Sequence, residues 1–144
     1  SNDSVTINAG GASGNVVVSG VNDTLNVINT VVTLTGTSSS VAVNGANNTV
    51  QVTGTSDRVT LTGASVSTVV TGLAAAIVVA GANDTLTAGG GSIALNATGT
   101  VLTTTAATNV TLANGVAATV DAGGFADQMT LGASDGLTLV NNGV

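Results

Sequence analysis

An all-β solenoid is the fold class this sequence predicts, and three observations predict it. Glycine recurs at a fixed nine-residue interval, the residues between glycines alternate apolar and polar, and those intervals are rich in Val and Thr rather than in helix formers. Gly36, Gly45, Gly54, Gly63, Gly72, Gly81, Gly90 and Gly99 keep the interval without exception. In the units that end on them, the fifth place holds Val32, Val41, Val50, Val59, Thr68, Ile77, Leu86 and Leu95, and the seventh holds Leu34, Val43, Val52, Leu61, Val70, Val79, Ala88 and Ala97. Only Thr68 is polar. Each unit therefore reads as a short half-buried strand followed by a tight turn, with Gly and Asn at the turns because they take positive φ at low cost.

The same unit continues on both sides of this array with looser spacing. Upstream, the inward pairs are Val5/Ile7, Val16/Val18 and Leu25/Val27. Downstream, they are Val110/Leu112, Ala118/Val120, Met129/Leu131 and Leu137/Leu139, with a blurred unit over 101–105. Sixteen units of nine account for all 144 residues, so the chain is expected to form one domain over 1–144, most regular over 28–99. A nine-residue unit has too little to bury alone, and it becomes stable only by stacking on its neighbours. Two units per coil would give an 18-residue flattened roll, and three would give a 27-residue triangular coil. One hint favours three: the ending TLTG recurs 27 residues apart, at 33–36 and 60–63, as do Asp57 and Asp84. Both coil sizes stay open at this point.

Composition removes several classes of function. Arg58 is the only base against seven Asp, giving a net charge of −6, and Phe125 is the only aromatic residue. Such a chain cannot neutralise a run of phosphates or stack bases, so nucleic acid is excluded as a partner, and an anionic membrane surface fails by the same sign. Without Cys or His there is no zinc, haem, iron–sulfur or thiol chemistry. No apolar run is long enough for a membrane-spanning helix, so membrane insertion is not expected. The chain begins at Ser1 with no charged-then-apolar leader, as expected of a mature secreted protein or of a fragment of a larger one.

The aspartates are placed non-randomly. Asp3, Asp23, Asp57, Asp84, Asp127 and Asp135 each stand two residues before an inward apolar residue, and NDTL occurs at both 22–25 and 83–86. With the nine-residue period, these turns resemble the RTX calcium β-roll family, whose repeat is G-G-x-G-x-D-x-U-x with U aliphatic. The resemblance implies an extracellular repeat segment of a secreted adhesin that holds calcium with turn carbonyls and with Asp from consecutive coils. On that implication, Asp57 and Asp84 are the candidate calcium ligands. The sequence also departs from the pattern. Relative to Leu86, Ala82, Ala80 and Val79 stand where the repeat has Gly, and most turns of the central array lack a carboxylate. The plainer expectation is that Asn-Asp, Asn-Asn and Ser-Asp form turns through side chain to backbone hydrogen bonds, with no cofactor.

Three further readings are weaker. Asp121, Asp127 and Asp135 could supply paired carboxylates for glycoside hydrolysis, but the residues that would hold a sugar are absent, so no catalytic residue is assigned and no enzyme activity is expected. Thr33/Thr35, Thr60/Thr62 and Thr103/Thr105 suggest an ice-binding ladder, interrupted at Ala42/Asn44, Val69, Val78/Ala80 and Gly89. Arg58 reads as an exposed partner of Asp57, and Phe125 and Met129 as filling a late coil.

No Lys, Pro or capping helix blunts either end of the predicted stack, and uncapped ends favour head-to-tail contacts that do not close. The first functional expectation is thus a non-enzymatic structural subunit, secreted to the exterior or surface of a prokaryotic cell, that polymerises with itself through its terminal coils. The calcium-dependent adhesin segment is the second and the ice-binding solenoid the third.

Overall fold

The computed structural model describes residues 4–8, 14–19, 24–28, 30–123 and 125–140. Asp3 and Asp23 lie outside them, as do the side chains of the first and third strands. The first eight strands are β1 (Ser4–Asn8), β2 (Gly14–Val18), β3 (Thr24–Ile28), β4 (Thr30–Leu34), β5 (Ser40–Val43), β6 (Thr49–Val52), β7 (Arg58–Leu61) and β8 (Ser67–Val70). The second eight are β9 (Ala76–Val79), β10 (Thr85–Ala88), β11 (Gly91–Leu95), β12 (Thr100–Thr104), β13 (Thr108–Leu112), β14 (Ala117–Asp121), β15 (Gln128–Thr130) and β16 (Gly136–Val140). No helix occurs among the described residues.

Odd-numbered strands form one eight-stranded sheet and even-numbered strands form the other, and every pairing is parallel. Each coil therefore holds two strands, one per sheet, and the chain is a β-solenoid. Across the regular section the register advances by 18 residues: Val41 faces Val59, Val59 faces Ile77, and Val50 faces Thr68. The 27-residue coil is thus ruled out. Asp57 precedes β7 and Asp84 precedes β10, so the two lie on opposite turn edges of the roll rather than in one column.

Period-two alternation positions the core. In β5 to β10 the even-spaced residues of each strand face the other sheet, and Leu34, Val43, Val52, Leu61, Val70 and Val79 are fully buried between the sheets. Thr68 sits in that core with its hydroxyl unpartnered.

The coil is not uniform. Gly89 and Gly90 form a two-residue link between β10 and β11, and Gly90 and Gly91 both have positive φ (120° and 102°). There the register advance falls to 16, from Ile77 to Ile93 and from Leu86 to Leu102. This slip turns Ile93 and Leu95 inward instead of the expected Leu95 and Ala97, although glycine keeps its nine-residue interval. Past it, the advance grows again, reaching 19 between Val120 and Leu139.

The repeating glycines have a different cause from the one their position suggests. Among them, Gly36 to Gly81 are not in the positive-φ region; the residue that is, in each of these turns, is Ser38, Asn47, Ser56, Ser65, Ala74 or Asn83. Glycine is required because coils meet backbone to backbone at that column. A Cβ on Gly63 would stand 1.7 Å from the Gly45 carbonyl oxygen, and one on Gly72 would stand 1.6 Å from that of Gly54. Such proximity places each carbonyl over the Cα of the next coil's glycine, a C–H···O approach that any side chain would block.

Candidate functional site

Two places on this scaffold depart from plain strand stacking: the column of inward residues at the start of each strand, and the last coil.

At the first place, the positive-φ residue of each turn is followed by one whose side chain points into the roll. These are Ser39, Asn48, Asp57, Val66, Ala75 and Asp84, all buried. Where that residue is Asn or Asp, its Oδ1 accepts the backbone N–H at the same place in the preceding coil. Ser39 donates to Asp57 and Val66 to Asp84, both at 2.8 Å, and Thr30 donates to Asn48. The pattern returns at Asp127, which accepts from Thr108 at 2.8 Å, and at Asp135, which accepts from Val116 at 3.1 Å. Five side chains thus staple successive coils. The expected turn-forming hydrogen bonds to backbone are present, but their main target is the coil before rather than the turn itself.

The second polar atom of each side chain separates the sites. Asn48 Nδ2 donates to the Gly45 carbonyl at 2.6 Å, three residues back. Asp135 Oδ2 accepts from the Gly132 N–H at 2.6 Å, and Asp127 Oδ2 from the Thr104 hydroxyl at 2.6 Å. In Asp57 and Asp84, Oδ2 is buried without a hydrogen-bond partner, packed against Gly54 and Gly81. Burial raises the pKa of both carboxyls, opposed by the hydrogen bonds from Ser39 and Val66.

Among the described residues, neither aspartate belongs to a cluster of carboxylates that could serve calcium. The ion takes about six to eight oxygens. Asp57 has Ser39 and Ala75 as its column neighbours, and Asp84 has Val66 and Thr100, so no second carboxylate approaches either one. Among the described residues no three acidic, His or Cys side chains group together. Arg58 does not serve Asp57 as expected: Asp57 points into the roll and Arg58 out from β7. Asp121, Asp127 and Asp135 are likewise separated in role, Asp121 accepting from the Gly123 N–H at 3.1 Å and the other two acting as staples.

The second place is the C-terminal end of the roll. Here Met129 and Leu137 are half-buried against the core, while Leu131, Leu139 and Phe125 are 51%, 45% and 44% exposed. With Ala122 and Asp127 they line an open apolar cavity of about 420 Å³. Phe125 therefore lies at the rim of the late coil instead of filling it. Among the described strands, β15 pairs only with β13 and β16 only with β14, so the end of each sheet presents an unpaired edge.

A family model described as a protein of unknown function, DUF3060, matches residues 43–100. That stretch, short of half the chain, runs from β5 to the start of β12 and includes the glycine column together with Asn48, Asp57 and Asp84. The similarity covers most of the regular coils together with the slip at Gly89–Gly91, and stops before the apolar end. No curated protein and no solved structure matches the chain. Among the described residues, no helix is long and apolar enough to cross a membrane.

Proposed function

We propose that this chain is a non-enzymatic structural protein, a β-solenoid subunit that stacks end to end into an extracellular filament, sheath or matrix fibre of a prokaryote. The observation that carries the reading is the C-terminal coil. Its inward side chains would be buried by one more coil, and no described residue supplies that coil. A second copy would supply it with parallel strands of the same spacing: β1 would continue the odd sheet beyond β15, and β2 the even sheet beyond β16. A contact between opposite ends leaves both outer ends free, so it propagates. Acidic composition, the absence of Cys and a single basic residue suit a protein exposed outside the cell.

The alternative, a calcium-dependent segment of a larger surface adhesin, is supported by the nine-residue period and the turn aspartates, and weakened by the isolation of Asp57 and Asp84 from other carboxylates. Sedimentation velocity in EDTA separates the two. End-to-end stacking predicts large species for the unmodified chain and a loss of those species in Leu131→Lys/Leu139→Lys, with the circular-dichroism melt unchanged. An unmodified chain that stays monomeric, or that unfolds in EDTA, contradicts the proposal and favours the adhesin segment.

A further inference from the structure

The two outer faces of the roll differ in a way that end-to-end stacking does not use. On the even sheet, strand register places the outward residues in two columns. One runs Asn15, Val31, Thr49, Ser67, Thr85, Val101, Thr119, Thr138; the other runs Val17, Thr33, Gln51, Val69, Thr87, Thr103, Asp121, Val140. Most of these side chains are Thr or Val, and five of the exposed large hydrophobic residues in the described structure, Val17, Val31, Val69, Val101 and Val140, belong to this face. The odd sheet has none of them. Its outward positions are more mixed, with Ser40, Ala42, Ala76 and Ala94 beside Thr60, Val78 and Thr111, and with the charge of Arg58. Of the residues expected to break a threonine ladder, Ala42 and Val78 belong to the odd sheet, whereas Val69 lies in the even one.

We propose that the even-sheet face is a second self-association surface, on which two copies pair face to face across a two-fold axis. Charge permits a second copy as the occupant, and size argues for it. Two chains of net charge −6 repel wherever their aspartates approach, and the described aspartates lie along the turn edges or, at Asp121, at the margin of this face. From Val17 to Thr119 the face carries no charge. Size agrees. Eight strands about 4.8 Å apart, each presenting about four residues of 3.3 Å, make a face of roughly 500 Å², so that two copies bury about 1,000 Å², the lower bound for a specific interface. Shape agrees as well, because Val and Thr have the same branched outline and columns at strand spacing interdigitate with an identical set, as in dry sheet-to-sheet packing.

Sedimentation velocity in the Leu131→Lys/Leu139→Lys background, where end contacts are blocked, isolates this surface. The expected result is a dimer. Adding Val69→Lys/Val101→Lys should halve the mass, whereas adding Ala76→Lys on the odd sheet should leave it unchanged, each variant keeping its circular-dichroism melt. A monomer before the Val substitutions, or a dimer that survives them, overturns the proposal. So does equal disruption by Ala76→Lys, which would reflect charge alone. If the monomer instead shapes growing ice crystals and Val69→Lys/Val101→Lys abolishes that, the face binds ice and the second copy is wrong.

Discussion

The middle coils and the last coil have the same strand pattern, yet their inward side chains meet different fates. Leu61 in β7 is fully buried, while Leu139, an inward residue of β16, is 45% exposed. Sequence alternation decides which side of a strand turns inward, but in a solenoid the neighbouring coil decides whether that side is dry. Burial is therefore a property of the stack, and an end coil keeps an unspent apolar face.

The difference can be broken most severely at the glycine column. Gly63→Ala would drive a methyl into the Gly45 carbonyl, a backbone atom with no freedom to withdraw, and is expected to cost about 4 kcal/mol or more. Gly115→Ala, near the later coils, meets nothing within 4 Å and suffers only from its φ of 75°, a cost of about 1–2 kcal/mol. Urea unfolding of the two variants checks the contrast, and equal losses would show that coils do not touch at the glycine column.

Next in size is the core itself. Leu61→Ala should lose about 3 kcal/mol, within the range for a buried Leu, while Leu139→Ala should lose under about 1 kcal/mol in the monomer. Stability measured as polymer forms sharpens this, because a covered Leu139 should then cost as much as Leu61.

An effect smaller than that of Leu61→Ala, and of opposite sign, concerns the staples. Asp57 and Asp84 have folded-state pKa values raised by burial, so an unfolded chain releases these protons at lower pH than the folded one. Their contribution to stability is therefore full in acid and declines as pH rises from the ordinary carboxylate range through the raised values. Asp57→Asn/Asp84→Asn should stabilise the neutral protein by about 1–2 kcal/mol, since Asn48 shows an amide at this place using both polar atoms. Thermal melts against pH should also be flatter in the double variant. A loss of stability at neutral pH would show that the charge itself is needed.

Much of the fold was legible because alternation and glycine period are local. The strands from β4 to β10 fall where Val32/Leu34 through Leu86/Ala88 place them. Coil size was not legible, because the recurrence at 27 residues involves turns that the fold puts on opposite edges. The slip at Gly89–Gly91 was hidden by Gly90 and Gly99, which keep the interval while the register changes. The role of the glycines was misassigned for a physical reason: a nine-residue period cannot distinguish a turn that needs positive φ from a column where two backbones touch. The staple aspartates were visible by spacing, but their acceptor role across coils depends on the 18-residue register.

Negative-stain microscopy of the purified chain in EDTA tests the uncovered-coil account most directly. Long unbranched particles, with a doubled width where even-sheet faces pair, are the predicted image. A field of isolated short rods at every concentration would mean that the apolar end of the roll does not recruit another subunit.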